Sequence, residues 1–547
     1  IEKESKDATG LRSDVVTLYQ GGVYNLYRYK RYDDVRLVFA PEEQIAFFGG
    51  DPDNFEYPRF NLDICIFRAY ENGQPAKIEH FLKWNAKGPV EGELTFVSGH
   101  PGQTNRQLTV SEMAASRDHE APYLLSMFNR REVMLNAFGN RAFENARRVH
   151  DDLRSIENNR KRYDGYLAAL LDPEVWSALE QREQSLRSGF SANPQFQGAG
   201  AAYDRIKQAQ EAIAKIAPVY QYFETFRGRS SATYRAPRAF YSTLFKYARR
   251  VVRAGEERPK PNGERFPEFR ESNRESLELD LFSTEPVDED VEQVTLTDSL
   301  TDMATRFGAD DPLVKQVLAG KSPAARATEL SKSRLKDVAF RKQLYEGGAS
   351  AIAAANDPMI ELARMVDGPA REARKAWEAQ DELKQQAYAE IAKARFAIQG
   401  TSTYPDATFT LRLSYGPVIG YEENGKKVAP FTNLAGLYQR SAEHKDQPPF
   451  NLPKRWVERK GKLNMNTPFN FVSTADIIGG NSGSPVTNKA NEFVGIIFDG
   501  NIQSLVLDSI YSEKQARAVS VNSAAISEAL RKVYDATALA DELERGK

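Results

Sequence analysis

The sequence predicts an α+β protein in which a helical domain is inserted into a β framework. Three observations predict it. Residues 31–110 carry short β-branched and aromatic runs, each ended by glycine or proline. After about residue 110 the chain becomes rich in Ala, Glu, Lys, Arg and Leu with helical periodicity. From about residue 402 the strand signals return. A chain of 547 residues accommodates two or three domains, and the composition shifts divide it into segments 1–108, 109–400 and 401–547.

The first strands are read at "VRLVFAP" (35–41), "QIAFFGG" (44–50), "LDICIFRAY" (62–70) and "ELTFVSGHPG" (93–102). In the helical region Ile206, Ile213, Ile216, Tyr220 and Phe223 fall on one stripe, and Pro218 is expected to kink that helix. Residues 255–292, dense in proline and charge, read as an extended surface segment. A Gly368-Pro369 turn should precede a helix from Ala370 to about Gln399, with Gly400 as its stop. The later strands are "ATFTLRLSYG" (407–416), "FNFVSTADI" (469–477), "EFVGIIFDG" (492–500) and "AVSVN" (518–522). A last helix carries Ile526, Leu530 and Val533 on one face.

Composition excludes several classes. The chain is 41% hydrophobic and 27% charged with a formal net charge of −2, which gives no electrostatic basis for a nucleic-acid partner. No apolar run is long enough to span a membrane. Cys65 is the only cysteine, so there is no internal disulfide framework and no cysteine-based metal cluster. No group of residues suggests a metal or cofactor. The sequence opens at Ile1, inside a polar segment with no leader pattern, and is read as a processed chain or a fragment.

The chemistry concentrates in "TADIIGGNSGSPV" (474–486). A nucleophilic serine needs an exposed hydroxyl, a base, and donors for the oxyanion. Ser482 stands between Gly480 and Gly483, and glycines let backbone N–H groups converge without a Cβ in the way. The N–H groups of Gly480 and Ser482 are the candidate oxyanion hole. The apolar strand that follows closely matches the end of a chymotrypsin-like second barrel. "NLDICIFR" (61–68) is similar to the first-barrel strand that presents a catalytic aspartate, which makes Asp63 the candidate orienter.

Taken end to end, the chain resembles the bacterial dipeptidyl-peptidase 7 and 11 family of serine exopeptidases. The resemblance rests on "GGDPDNFEYPRFNLDICIFRAY" (49–70), "GHPGQTNR" (99–106), "IENNRKRYDG" (156–165), "RPKPNGERFPEF" (258–269), "YPDATFTLRLSYG" (404–416) and the serine motif. It implies a chymotrypsin-like double β-barrel with a large inserted α-helical domain. About 420 residues separate Asp63 from Ser482, against roughly 90 in the chymotrypsin template, and the insertion accounts for the difference.

The same resemblance implies that dipeptides are released from peptides with a free N-terminus, with Asn54, Phe55, Asn158 and Asp499 holding the substrate ammonium. Phe55 departs mildly from the family's usual tryptophan, and Asn159 adjoins Asn158 as the alternative match. The P1 specificity position is Gly500. The acid-specific branch has arginine there, so glycine implies an open pocket for apolar or aromatic P1 residues. Asp476 stands where trypsin-like enzymes bind basic residues, but the family shares this acid without that preference. Homodimers and a periplasmic or cell-surface location are implied too.

The base is the missing part. His80, His100, His119, His150 and His444 are the five histidines, and none has the context or order of the family's base. His100, in "SGHPG", follows Asp63 and belongs to a separate motif. The base is therefore expected on an N-terminal part of the first barrel outside this chain, which alone should be inactive. Two other functions fit part of the pattern: a glutamyl-type endopeptidase, whose serine motif is close, and a catalytically inactive peptide-binding relative.

Overall fold

The computed structural model describes residues 1–224, 239–400 and 404–546. Parts of two expected segments, residues 225–238 and 401–403 with 547, lie outside the described residues. Contacts divide the chain into two compact units. One comprises Ile1–Met113, Lys161–Ala202 and Tyr388–Lys547; the other comprises Ala114–Arg160 and Tyr203–Ala387. Residues 161–202 and 388–400 of the helical region thus belong to the strand-bearing unit.

The first unit is organised by an eight-stranded sheet. Phe431–Asn433, Pro468–Ser473, Ala518–Asn522, Glu492–Gly500, Pro485–Thr487, Leu94–Gly99 and Arg412–Pro417 lie side by side in that order, each pair antiparallel. Lys83–Trp84 adds a short parallel pairing to Glu492–Gly500. The sheet joins strands from before and after the helical region, which is what an insertion requires. A separate three-stranded sheet holds Asp34–Phe39, Ile66–Glu71 and Gln74–Pro75.

The strand Glu492–Gly500 reads as a continuous apolar run because both its faces are covered. Val494 and Ile497 pack with Val97, Phe471, Ile477 and Val486. Phe493 and Phe498 pack on the other side with Ile45, Phe48, Trp456 and Leu530. A register shift between Ile497 and Asp499 marks a bulge, which re-aims the last residues of the strand.

The second unit is helical, with a core that includes Phe223, Phe245, Leu300, Leu330, Leu344 and Val366. Arg253, 2% exposed, donates to Glu224 at 2.7 and 2.9 Å and to Asp367 at 2.7 Å. A guanidinium buried that deeply requires paired carboxylates. Glu224 is held down to about 2 by the hydrogen bonds and charge of Arg253, which outweigh the upward push of burial.

Several expectations hold and several fail. The strands at 492–500 and 518–522 form with the read boundaries. Ile206, Ile213, Tyr220 and Phe223 are buried as their stripe requires. The helix Gln197–Phe223 runs on through Pro218 near its end. "QIAFFGG" is not a strand. It forms two short helical turns, Glu43–Ala46 and Gly50–Asp53, because Ile45 and Phe48 are buried from a loop. "LDICIFRAY" becomes a strand only at Ile66–Glu71, so Asp63 sits in the irregular stretch before it.

No turn forms at Gly368-Pro369. One helix spans Pro358–Gln399, since Ile360, Leu362, Ala363, Val366 and Ala370 bury its face and offset the one hydrogen bond that proline removes. That helix does stop at Gly400, with φ 69°. Residues 255–292 are not an extended surface segment. They contain 3-10 turns and the helix Arg274–Leu281, anchored by buried Phe269, Leu277 and Leu281. The Arg374 guanidinium stands 3.7 Å from the Phe266 ring centroid. The hairpin Arg12–Leu18 with Val23–Tyr29 and the final helix Thr537–Arg545 were not anticipated from residue patterns. Among the described residues no helix is long and apolar enough to cross a membrane.

Candidate active site

Ser482 lies on a turn between buried Ile478 and the strand Pro485–Thr487. The turn is built by glycine. Gly480 has φ 108° and Gly483 φ 84°, both in the left-handed region. A Cβ on Gly480 would stand 2.6 Å from the His100 carbonyl oxygen and 2.7 Å from the Gly102 nitrogen. The Gly102 N–H donates to the Gly479 carbonyl at 2.7 Å. The "GHPG" segment is thus laid backbone to backbone against the serine turn. The turn is closed by Asn481, whose amide donates to the Ile478 carbonyl at 3.1 Å, and by Gly483, whose N–H donates to Ile497 at 2.8 Å.

Ser482 is exposed, and its hydroxyl donates to the Phe498 carbonyl at 3.2 Å. Among the described residues the N–H groups of Gly480 and Ser482 have no acceptor. An exposed hydroxyl beside two unused backbone donors is the local chemistry that acyl transfer needs.

Asp63 is held by its neighbours. Asn61, fully buried, exchanges bonds of 2.8 Å with Asn470, and the Leu62 N–H donates to Ile45 at 2.9 Å. The Asp63 side chain is open to solvent yet ringed by protein. Burial pushes its carboxyl up to about 6, the nearby Arg59 charge opposes that, and Asp499 adds to it.

Arg59 is the hub that sequence reading missed. It donates to the Asp499 carboxylate at 2.8 Å, to the Asp53 carbonyl at 2.5 Å and to Asn61 at 3.2 Å. Its side chain is 2% exposed and that of Asp499 8%. The same Asp499 oxygen accepts from the Phe55 N–H at 3.1 Å, while the other accepts from Gly500 at 2.9 Å. Phe55 has φ 57°, a strained value for a bulky side chain, and the Asp499 bond helps hold it there. Asn54 is buried beside it. Lys161, in the "NNRK" motif, donates to the Asp51 and Pro52 carbonyls at 3.0 Å each and so fastens this loop. The only sequence signal for Arg59 and Lys161 was their place inside quoted motifs.

Asn54, Phe55, Asp63, Ser482, Asp499 and Gly500 all lie in the first unit. Asn158 lies in the second, exposed on the helix Phe143–Leu171. Its neighbour Asn159 bonds the Ser155 carbonyl at 2.7 Å.

Asp476 is occupied. Arg106, from "GHPGQTNR", grips it with two bonds of 2.6 and 2.7 Å and reaches the Leu507 carbonyl at 2.7 Å. Its two carboxylate oxygens are thus both engaged by one guanidinium. Gly500 is buried. Ser504 fills the space where its Cβ would be, with Ser504 Cβ 3.2 Å and Ile477 Cδ1 3.4 Å from that point. Among the described residues no histidine side chain hydrogen-bonds Ser482 or Asp63. His100 touches the serine turn through its backbone, and its exposed ring lies 6.4 Å from that of Phe409.

Comparison with known proteins bears on this arrangement. A family model described as Peptidase S46 matches residues 1–545. The Asp/Glu-specific dipeptidyl-peptidase of Shewanella putrefaciens is 28% identical over 599 residues, covering 97% of this chain and 77% of that one. The dipeptidyl-peptidase 7 of Capnocytophaga gingivalis is 25% identical, covering 95% of this chain and 74% of its own. The crystal structure of Porphyromonas endodontalis DPP11 in complex with the dipeptide Arg-Glu superposes with a TM-score of 0.79 at 22% identity, covering 99% of this chain and 79% of that one. The chain shares the mixed helix-and-sheet fold of that protein.

Proposed function

The chain belongs to the peptidase S46 family, and from that premise we propose that it is a serine dipeptidyl-peptidase. It releases N-terminal dipeptides from oligopeptides. The observation that carries this reading is the Ser482 turn, with its exposed hydroxyl and two unused N–H donors. Ser482 Oγ attacks the P1 carbonyl carbon, and the Gly480 and Ser482 N–H groups hold the oxygen that becomes negative. Asp63 orients the base that takes the Ser482 proton. The names of the relatives support the dipeptide unit.

Asn54, Phe55 and Asp499 hold the substrate ammonium. A carboxylate with amide oxygens gives an ammonium strong, directional bonds in a closed pocket. The contribution of Asn158 rests on the resemblance alone. At P1 the enzyme prefers apolar or aromatic side chains. The acidic specificity in the Shewanella relative's name belongs to that protein; the arginine that the resemblance links to it is replaced here by Gly500. Residues 1–108 and 401–547 contribute two chymotrypsin-like barrels, with 109–400 as the insertion. A homodimer in the periplasm or at the cell surface completes the reading.

The base is not among the five histidines of this chain. Residues 1–547 then turn substrate over only at the residual rate that an oxyanion hole and binding supply. The same observation favours a second reading, a catalytically inactive peptide-binding relative. Titration calorimetry with dipeptides tests what both share. A free-amine dipeptide should bind at least about tenfold more tightly than its N-acetylated form. Equal binding, or cleavage of N-blocked peptides, would sink the exopeptidase reading and leave the glutamyl-type endopeptidase.

A further inference from the structure

The residue after Asp499 is a glycine with an ordinary backbone conformation, so its lack of a side chain answers a packing need rather than a torsional one. That need is Ser504. A Cβ on Gly500 would overlap Ser504 Oγ, at the tip of a short side chain with a single rotatable χ1 bond. Ser504 cannot readily withdraw. Its hydroxyl donates to the Asn501 carbonyl at 2.6 Å and its N–H to the same oxygen at 2.8 Å. Asn501 is fully buried and locked to Arg517 by bonds of 2.8 and 3.0 Å.

The 3-10 segment Ile502–Asp508 that carries Ser504 is fixed at several points. Leu505 packs on the Cα of Gly165, where any Cβ would overlap it. Arg162 pairs with Asp508 at 3.0 Å, and the Asn105 N–H donates to the Asp508 carbonyl at 2.7 Å. Ser504 is therefore a rigid wall beside Gly500, backed by Ile477.

We propose that Ser504 is a specificity-determining residue that limits the size of the P1 side chain, and that positions 500 and 504 are coupled: one can carry a side chain into the shared space only when the other is glycine. This rests on the placement of the P1 subsite at Gly500 in the reading above. Apolar and aromatic side chains remain the P1 class, and Ser504 sets how deep they enter beside Gly500.

Dipeptides ending in Ala, Leu, Phe and Glu, titrated calorimetrically into the chain and its variants, test this without any need for turnover. Ser504→Gly should raise affinity for the Leu and Phe dipeptides relative to Ala by about tenfold, the discrimination a methylene-sized change gives. Gly500→Ala should lose binding, and Gly500→Ala with Ser504→Gly should regain it. Melting temperatures identify a variant that fails to fold, and the Ser504→Gly profile then decides alone. An unchanged profile in Ser504→Gly, with the unsubstituted chain still binding free-amine dipeptides, overturns the role of Ser504 and leaves the proposed function standing. No binding of any free-amine dipeptide by the unsubstituted chain overturns both.

Discussion

Arg59 and Asp499, 440 residues apart in sequence, form a buried ion pair at 2.8 Å that ties the Asn54–Phe55 loop to the end of the strand Glu492–Gly500. Asp499 accepts from Arg59 and from the Phe55 N–H through one oxygen, so three pieces of the candidate site share one carboxylate. Removing the guanidinium would leave a buried carboxylate without its countercharge, which costs about 3–5 kcal/mol. Arg59→Met should lower stability by that order in urea denaturation and abolish dipeptide binding. A variant with unchanged stability and affinity would show that the pair is dispensable.

Asp63 gives a pH prediction. Its carboxyl is pushed up to about 6 from the ordinary 3.8, so between those values the folded chain binds more protons than the unfolded one. Stability contributed by Asp63 therefore falls as pH rises from about 4 to 6 and is flat above. Asp63→Asn should melt at a higher temperature than the unsubstituted chain at pH 7 and 8, with the gap closing below pH 6. A gap that widens on acidification would reverse the sign and refute the raised value.

Gly480 is fixed by its backbone and by its neighbours. With φ 108° and His100 and Gly102 backbone atoms where a Cβ would go, Gly480→Ala should cost about 1–3 kcal/mol of stability. Gly479→Ala, at a position with nothing within 4 Å, is the control and should be close to neutral. Equal effects at the two positions, measured by denaturation, would remove the argument that "GHPG" shapes the serine turn.

Asp476 distinguishes a structural acid from a specificity acid. Asp476→Asn should weaken the Arg106 grip and lower stability by about 1–3 kcal/mol. The affinity ratio between dipeptides ending in Arg and in Leu should not change. A selective loss for the Arg dipeptide would make Asp476 a substrate-binding residue.

Much of the scaffold could be read from residue patterns. "EFVGIIFDG" and "AVSVN" are strands in sequence and in space, because β-branched runs buried on both faces have few other uses. "QIAFFGG" carries the same apolar signal and is not a strand, since a short apolar run cannot say whether sheet or loop buries it. Gly368-Pro369 carries the usual turn signal and lies inside a helix, because tertiary burial on that face outweighs it. The site follows the same division. The serine turn was legible from local glycine spacing. The Arg59–Asp499 and Arg106–Asp476 pairs were not, because each joins residues hundreds of positions apart. The filling of Gly500 by Ser504 depends on a 3-10 turn that no spacing rule predicts.

Ser482 is proposed here as the nucleophile of a dipeptidyl-peptidase, with a base that none of the five histidines of the sequence supplies. Imidazole in solution can stand in for such a base. The most direct measurement is hydrolysis of a free-amine dipeptidyl-coumarin amide by the chain as imidazole is added. The predicted result is a rate that rises with the concentration of neutral imidazole, is lost in Ser482→Ala, and is absent for the N-acetylated substrate. An imidazole-dependent rate that Ser482→Ala retains in full would contradict it.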